Sequence, residues 1–342
     1  MVCSKSQTLI TGVYRTGSEY LSQLIGCHPK INVTMYSVNV LRFIYNRYNP
    51  ISERANYESA IDALDNRLKA RYNRLLDKEK ILGDLARSEC VDYGVFYDIV
   101  MNSLYLRAPA EHWAEKNQLL WREIPTFLEM MPNGKAILTM RDPRSVLLSF
   151  KKYTYAPPPA YLGAVFNCLD AMQHGLEYQR KYPDRFLCVR YEDAAGSPTQ
   201  TVRRAWDFLG LEGSFDCCDQ SNWTDEKGDA WHTNSVFHPN EDLRPFDVEA
   251  SINRWRSELD DKEISLVEGV CGKTMHKYGY APERDEYDWL SVMRLFAHDD
   301  TIFSSFRQWL LTGEGIEAFP TDPLDPKNWA EARERLTEKQ NV

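Results

Sequence analysis

Two arginines, each on a turn between a strand-like run and a helical one, are the residues of this 342-residue chain best placed to do chemistry. The first is Arg15, in TLITGVYRTGSEYLSQLIG, Thr8 to Gly26. An apolar run, Leu9 to Val13, meets the turn Tyr14 to Ser18, and apolar residues then recur at helical spacing (Tyr20, Leu21, Leu24, Ile25). Strand, turn and helix N-terminus make an anion site: unpaired amides of the first helical turn converge there and the helix dipole favours negative charge. Gly17 lets backbone approach closely, Thr16 and Ser18 add hydroxyls, and Arg15 adds a cation. The competing reading is a capped helix with a bystander arginine. A Walker A loop needs a lysine after its second glycine, but Ser18 follows Gly17, which counts against a kinase or GTPase.

The second arginine is Arg141, in AILTMRDPRSVLLSF, Ala136 to Phe150. A buried strand ends at Arg141-Asp142, and Pro143 suits the first turn of a helix. The carboxyl end of a strand is where ligands bind in open α/β sheets. A guanidinium suits phosphate because its fork donates two hydrogen bonds at once. Ser149 lies about two helical turns further on, so its reach to the same ligand depends on helix packing. Alternatively, Arg141 pairs with Asp142 or another acid at the sheet edge.

These turns need a frame. Strands are expected at Thr8–Val13, Leu119–Glu123, Lys135–Met140 and Arg185–Arg190, with Lys80–Leu82 a weaker candidate. Helices are expected at Ser18–Gly26, Thr126–Met131, Pro143–Lys152 and Pro198–Leu209, and longer ones within Ser52–Asp77, Ala160–Tyr182 and Asp261–Tyr278. This alternation predicts a parallel α/β sheet. The divisions expected are a main domain over 1–280 and a helical extension over 281–342, the latter carrying 13 acidic against 7 basic residues. Trp223–Asp247 reads as a long irregular, aromatic-rich segment of the kind that often carries function.

Composition narrows the class. Hydrophobic residues at 43% and charged residues at 27% are those of a chain that buries a substantial core. A net charge of -9 argues against nucleic acid as a partner, so an anionic ligand would need arginines placed locally. No run of eighteen apolar residues predicts a membrane span, and no charged-then-apolar leader precedes Thr8. Eight scattered cysteines without a CxxC pair read as reduced thiols, and a cytoplasmic protein is the expectation.

Together, TGVYRTGSEYL and RDPRSVLLSF resemble the sulfotransferases that use 3′-phosphoadenosine-5′-phosphosulfate (PAPS). VRYEDAAGSP, WDFLGL and INRWRSEL extend the resemblance to about Tyr280 in the family's order. The resemblance implies a P-loop NTPase-like parallel sheet flanked by helices, followed here by the C-terminal helical extension. It implies that Arg15 contacts the bridging and sulfuryl oxygens, that Thr16, Gly17 and Ser18 hold the 5′-phosphate, and that Arg141 and Ser149 hold the 3′-phosphate. Tyr191 would lie against the adenine, or else be an ordinary core tyrosine, and Arg244 is the nearest match to a late basic residue. Glu19 departs from the family's second threonine; its backbone N–H is expected to serve while its carboxylate turns away from the anionic donor.

Sulfuryl transfer by this family needs a base for the acceptor proton and donors for the leaving phosphate, with no metal, and no His/Cys/Asp cluster of ligand spacing is present. Glu123, in LLWREIPTF, is the first choice for base, its alternative being an ion pair with Arg122 or Arg15. Arg122 would stand in for the lysine that similar sequences carry near this place. The resemblance leaves the acceptor open between a carbohydrate and a small metabolite, with product adenosine 3′,5′-bisphosphate (PAP). Two rivals are an ATP-dependent phosphotransferase of the same fold and a non-catalytic binder of PAP or acceptor.

Overall fold

Seven consecutive buried residues form the first strand, β1 (Ser6–Gly12), and the other elements assemble around it. In the computed structural model, the structure describes residues 6–104, 112–153, 158–213, 215, 221, 223–224, 228–231 and 247–317. After β1 come α1 (Ser18–Gly26), β2 (Ile31–Thr34), α2 (Val40–Phe43), α3 (Arg54–Tyr72), α4 (Lys78–Ala86), α5 (Tyr93–Ser103) and β3 (His112–Lys116). Then follow α6 (Ile124–Met130), β4 (Lys135–Met140), α7 (Pro143–Tyr153), α8 (Gly163–Lys181), β5 (Phe186–Arg190), α9 (Tyr191–Gly196) and α10 (Pro198–Leu209). The remaining helices are α11 (Val248–Asn253), α12 (Trp255–Glu258), α13 (Asp261–Met275), α14 (Trp289–Arg294) and α15 (Asp300–Thr312).

The five strands form one sheet in the order β2-β3-β1-β4-β5, every neighbouring pair parallel. Successive side chains point to opposite faces of a strand. Ile10 and Ile137 accordingly join one apolar cluster with Leu21, Leu24 and Trp206 of α1 and α10. Leu9 and Leu138 join the other, with Phe127, Phe166 and Leu169 of α6 and α8. The chain leaves β1 towards β2 and leaves β4 towards β5, so the sheet order diverges between β1 and β4. That switch point opens a crevice at the carboxyl edge, flanked by the turns after β1 and β4.

Most expected elements are present, with two corrections. Leu119–Glu123 is not a strand: Leu119 has φ 59, and Trp121–Glu123 is a single 3-10 turn. Its apolar residues are buried by packing, and a short apolar run does not reveal which backbone carries it. The strand lies earlier, at β3, where Glu115 and Lys116 are buried charges that break the apolar signature. Lys80–Leu82 belongs to α4, whose N-cap Asp77 accepts a hydrogen bond from the Lys80 amide. The long helix expected over Ser52–Asp77 is α3 alone, closed by Asn73 in the left-handed conformation. After Tyr280, Trp289 of α14 stacks near Phe306 and Trp309 of α15 (5.7 and 5.5 Å), and Val292, Phe296 and Phe306 join the core shared with α8 and α13.

One buried network ties this C-terminal part to the crevice. Arg144, at the start of α7, donates to Asp142 (2.7 Å) and to Glu268 of α13 (2.6 Å), and lies over the Trp255 ring at 3.9 Å. Glu268 also accepts the backbone amides of Glu283 (3.0 Å) and Arg284 (3.1 Å). Removing one partner of a buried pair strands the other charge. Glu268→Ala is therefore expected to lower stability by roughly 3–5 kcal/mol in urea unfolding, whereas Glu258→Ala, at a half-buried carboxylate paired with the more exposed Lys152 and Arg254, should cost under about 1 kcal/mol.

Candidate functional site

The turn after β1 is built around two residues in the left-handed region, Arg15 (φ 71) and Gly17 (φ 82). For a non-glycine residue that conformation costs on the order of 1–3 kcal/mol, and surrounding contacts must hold it. Here it turns the Arg15 carbonyl to accept a hydrogen bond from Arg141 Nη1 at 2.9 Å. Arg15 Nε donates to Ser149 Oγ at 2.9 Å, so the packing of α7 against β1 brings Ser149 to the turn. Thr16 is inside it: its hydroxyl donates to the Val13 carbonyl (2.7 Å) and meets Thr139 Oγ1 of β4 at 2.7 Å. Ser18 Oγ accepts from Gln118 Nε2 at 3.3 Å, and no side chain caps α1.

Arg141 carries the electrostatic argument. Its guanidinium lies over the Tyr191 ring at 4.3 Å and donates to the Arg15 and Ser251 carbonyls. Its Nε is buried without a hydrogen-bond partner. Among the described residues no carboxylate forms an ion pair with it, because Asp142 is held by Arg144. Burial pushes the guanidinium down from its ordinary value, with Tyr191 and Glu192 opposing. A buried cation without a counter-ion is costly. An anionic group in the crevice is what it lacks.

Tyr191 holds Arg141 from below: its hydroxyl donates to Ser251 Oγ at 3.0 Å. On its other side it presses on the turn, since a Cβ added at Gly17 would fall 2.3 Å from the ring. Tyr20 continues the aromatic wall, with ring centroids 6.4 Å from Tyr191, 5.7 Å from Trp223 and 6.2 Å from Trp231. The Glu19 carboxylate turns to this wall, accepting from Trp231 Nε1 at 3.0 Å and lying 4.0 Å from Lys116 Nζ. Lys116, on β3, is thus the lysine beside the turn. Arg122 does not stand in for it, because its fork is closed on Asp170 with two bonds of 2.8 Å.

Arg15, Thr16, Gly17, Ser18, Arg141, Ser149 and Tyr191 therefore converge at the switch point. Glu123 sits apart, partly buried where the 3-10 turn enters α6, with neither a hydrogen bond nor an ion pair to Arg122 or Arg15. It is within electrostatic reach of Arg42, which also feels Tyr14, the neighbour of Arg15. Arg244 lies outside the described residues. Thr139, Gln118, Ser251 and Lys116 were missed because each joins the turn from a distant element, and no local pattern marks them.

Gly17→Ala combines a disfavoured φ with a clash on Tyr191, and urea unfolding should show a loss of roughly 1–3 kcal/mol. Gly196→Ala, where nothing lies within 4 Å, should cost much less.

Residues 8–216 match the Sulfotransferase family. Carbohydrate sulfotransferase 2 of Mus musculus is 29% identical over 165 residues, covering 42% of this chain and 29% of the relative. The chain thus spans about three tenths of the length of that relative. Among solved structures, it is similar to the sulfotransferase domain from the curacin biosynthetic pathway (TM-score 0.48, 19% identity, 78% of this chain and 96% of that one). A mouse sulfotransferase complexed with PAP gives a TM-score of 0.42 at 13% identity, covering 81% of this chain and 89% of that one. The cytoplasmic expectation is overturned: carbohydrate sulfotransferases such as the matched relative are Golgi-resident. The expectation of reduced thiols holds for Cys90, Cys168, Cys188 and Cys271, which are free, and fails at Cys27, which is disulfide-bonded. No helix among the described residues is long and apolar enough to cross a membrane. With well over half its length matched, two phosphate-type turns converging on one crevice and a parallel sheet to position them, the chain belongs to the sulfotransferase family.

Proposed function

We propose that this chain transfers the sulfuryl group of PAPS to a hydroxyl or amine of a carbohydrate or small-metabolite acceptor. The observation that carries the reading is Arg141, a buried cation with no carboxylate ion pair among the described residues, joined to the Arg15 turn at the switch point. Family membership and the carbohydrate sulfotransferase relatives support the reaction class.

The residues present fit the nucleotide. Arg15, Thr16, Gly17, Ser18 and the backbone N–H of Glu19 would hold its 5′ end. Arg141 and Ser149 would hold the 3′-phosphate, with Arg244 a further candidate later in the sequence. Tyr191 keeps Arg141 in place and borders the adenine side. When bound, PAPS supplies the sulfuryl group as a mixed anhydride with phosphate. The chain supplies oriented donors for charge developing on the leaving oxygen, a single one being worth roughly 3–4 kcal/mol. Glu123, which the 3-10 turn sets apart from these residues, would take the proton of an acceptor that reaches the start of α6.

Ligand bound to the folded state raises its melting temperature by mass action. PAP should shift the melting of the wild-type chain well above any shift with ATP, and Arg141→Met should remove the PAP response. Equal shifts with PAP and ATP, or none, would count against the reading. Glu123→Gln should keep the PAP shift and lower radiolabelled sulfate transfer by roughly 10²–10⁴-fold. A full-rate Glu123→Gln enzyme would return the base to another residue. PAP binding without transfer to any acceptor would favour the non-catalytic rival.

A further inference from the structure

Glu19 is the acidic side chain in the first turn of α1, next to the turn that gathers Arg15 and the helix amides. A helix N-terminus favours a carboxylate for the same reason that it favours a phosphate. Left to itself, this carboxylate would compete with the anion that the turn is built to hold. In the structure it is drawn off. Glu19 Oε1 accepts from Trp231 Nε1 at 3.0 Å, while Lys116 Nζ lies 4.0 Å from Oε2, beyond hydrogen-bond distance. Among the described residues the indole N–H is the one hydrogen-bond donor to this carboxylate.

Trp231 is itself held in place. Its amide donates to the Trp223 carbonyl at 2.9 Å, beside an antiparallel bridge between Thr224 and Ala230. The two indoles meet edge to face with centroids 5.3 Å apart, and Tyr20 packs on both. Gln23 Nε2 donates to the Thr224 carbonyl. Glu19 and Gln23 are four residues apart, so they share a face of α1, and that face carries the Trp223–Trp231 pair. Tyr20 also meets Tyr191, whose ring lies under Arg141. Glu19 thus belongs to two structures: its carboxylate anchors the indole pair, and its backbone lies at the anion-binding turn.

We propose that Trp231 is a positioning residue of the nucleotide site. Its indole N–H keeps the Glu19 carboxylate off the turn, with Lys116 drawing it the same way, so that a bound nucleotide meets only the Glu19 backbone. The inference rests on the sulfotransferase reading and adds to it a residue that no motif marks. Nucleotide affinity is coupled to the packing of the Trp223–Trp231 pair through a single carboxylate. The coupling runs through the charge of Glu19 and not through the bulk of the indole, which separates positioning from packing.

The test is calorimetric titration of the full chain with PAP in a double-mutant cycle. Trp231→Phe keeps an aromatic ring and removes the N–H; it should weaken PAP binding roughly tenfold, the size of one hydrogen bond to a charged group. In a Glu19→Gln background the same substitution should change PAP affinity by less than about twofold, because no carboxylate is left to return to the turn. Glu19→Asp leaves the indole pair intact, keeps the charge and is too short to reach Trp231, so it too should weaken PAP roughly tenfold. That variant carries the test if Trp231→Phe does not fold. Losses of equal size in both backgrounds, or wild-type affinity in Trp231→Phe or Glu19→Asp, overturn the assignment. A wild-type chain that does not bind PAP overturns the sulfotransferase reading itself, whereas normal wild-type binding with additive losses overturns only the role of Trp231.

Discussion

The site depends on one buried positive charge, Arg141, that no carboxylate among the described residues pairs with. Arg141 lies over Tyr191 and donates to two carbonyls, yet the acids nearest to it in sequence and space are engaged elsewhere. Asp142 is taken by Arg144. Glu192 accepts from the Asp142 amide (2.9 Å) and the Tyr280 hydroxyl (2.8 Å), and burial pushes its carboxyl up. Carbonyl dipoles and an aromatic face stabilise a guanidinium only in part, so its demand for an anion persists. Much of the buried polar structure around α7, α9 and α13 can be understood as keeping neighbouring carboxylates from meeting that demand.

The same constraint explains why the turn after β1 tolerates backbone strain. Arg15 is held at φ 71 because its carbonyl meets Arg141, its Nε meets Ser149 and its neighbour Thr16 is locked to Thr139. These partners sit on β4 and α7, and the parallel pairing of Gly12 with Thr139 fixes their register. Strain at one residue is thus carried by the sheet.

Net charge and local charge point in opposite directions in this chain. At -9, the far field repels anions, but at physiological salt that field is screened beyond about 8 Å. What matters at the crevice is near geometry: Arg15, Arg141 and Lys116 close by, and Glu19 drawn off by Trp231 and Lys116. The C-terminal part, where the sequence shows no chemistry, reaches the far side of the same edge through Glu317.

The strands β1 and β4, helices α1, α7 and α10, and the two arginine turns were legible from the sequence because each is a local pattern. Apolar runs, helical spacing, and a glycine or proline at a set offset act within about a dozen residues. β3 was not legible, since Glu115 and Lys116 are buried by neighbours and not by any apolar run of their own. Glu123 and Arg122 read as neighbours on a strand end, yet a 3-10 turn sends Arg122 to Asp170 and leaves Glu123 apart. Sequence determined which groups could hold an anion. Tertiary structure alone decided which of them meet and which acids are kept away, because burial and pairing join residues more than a hundred positions apart, and no local spacing encodes such contacts.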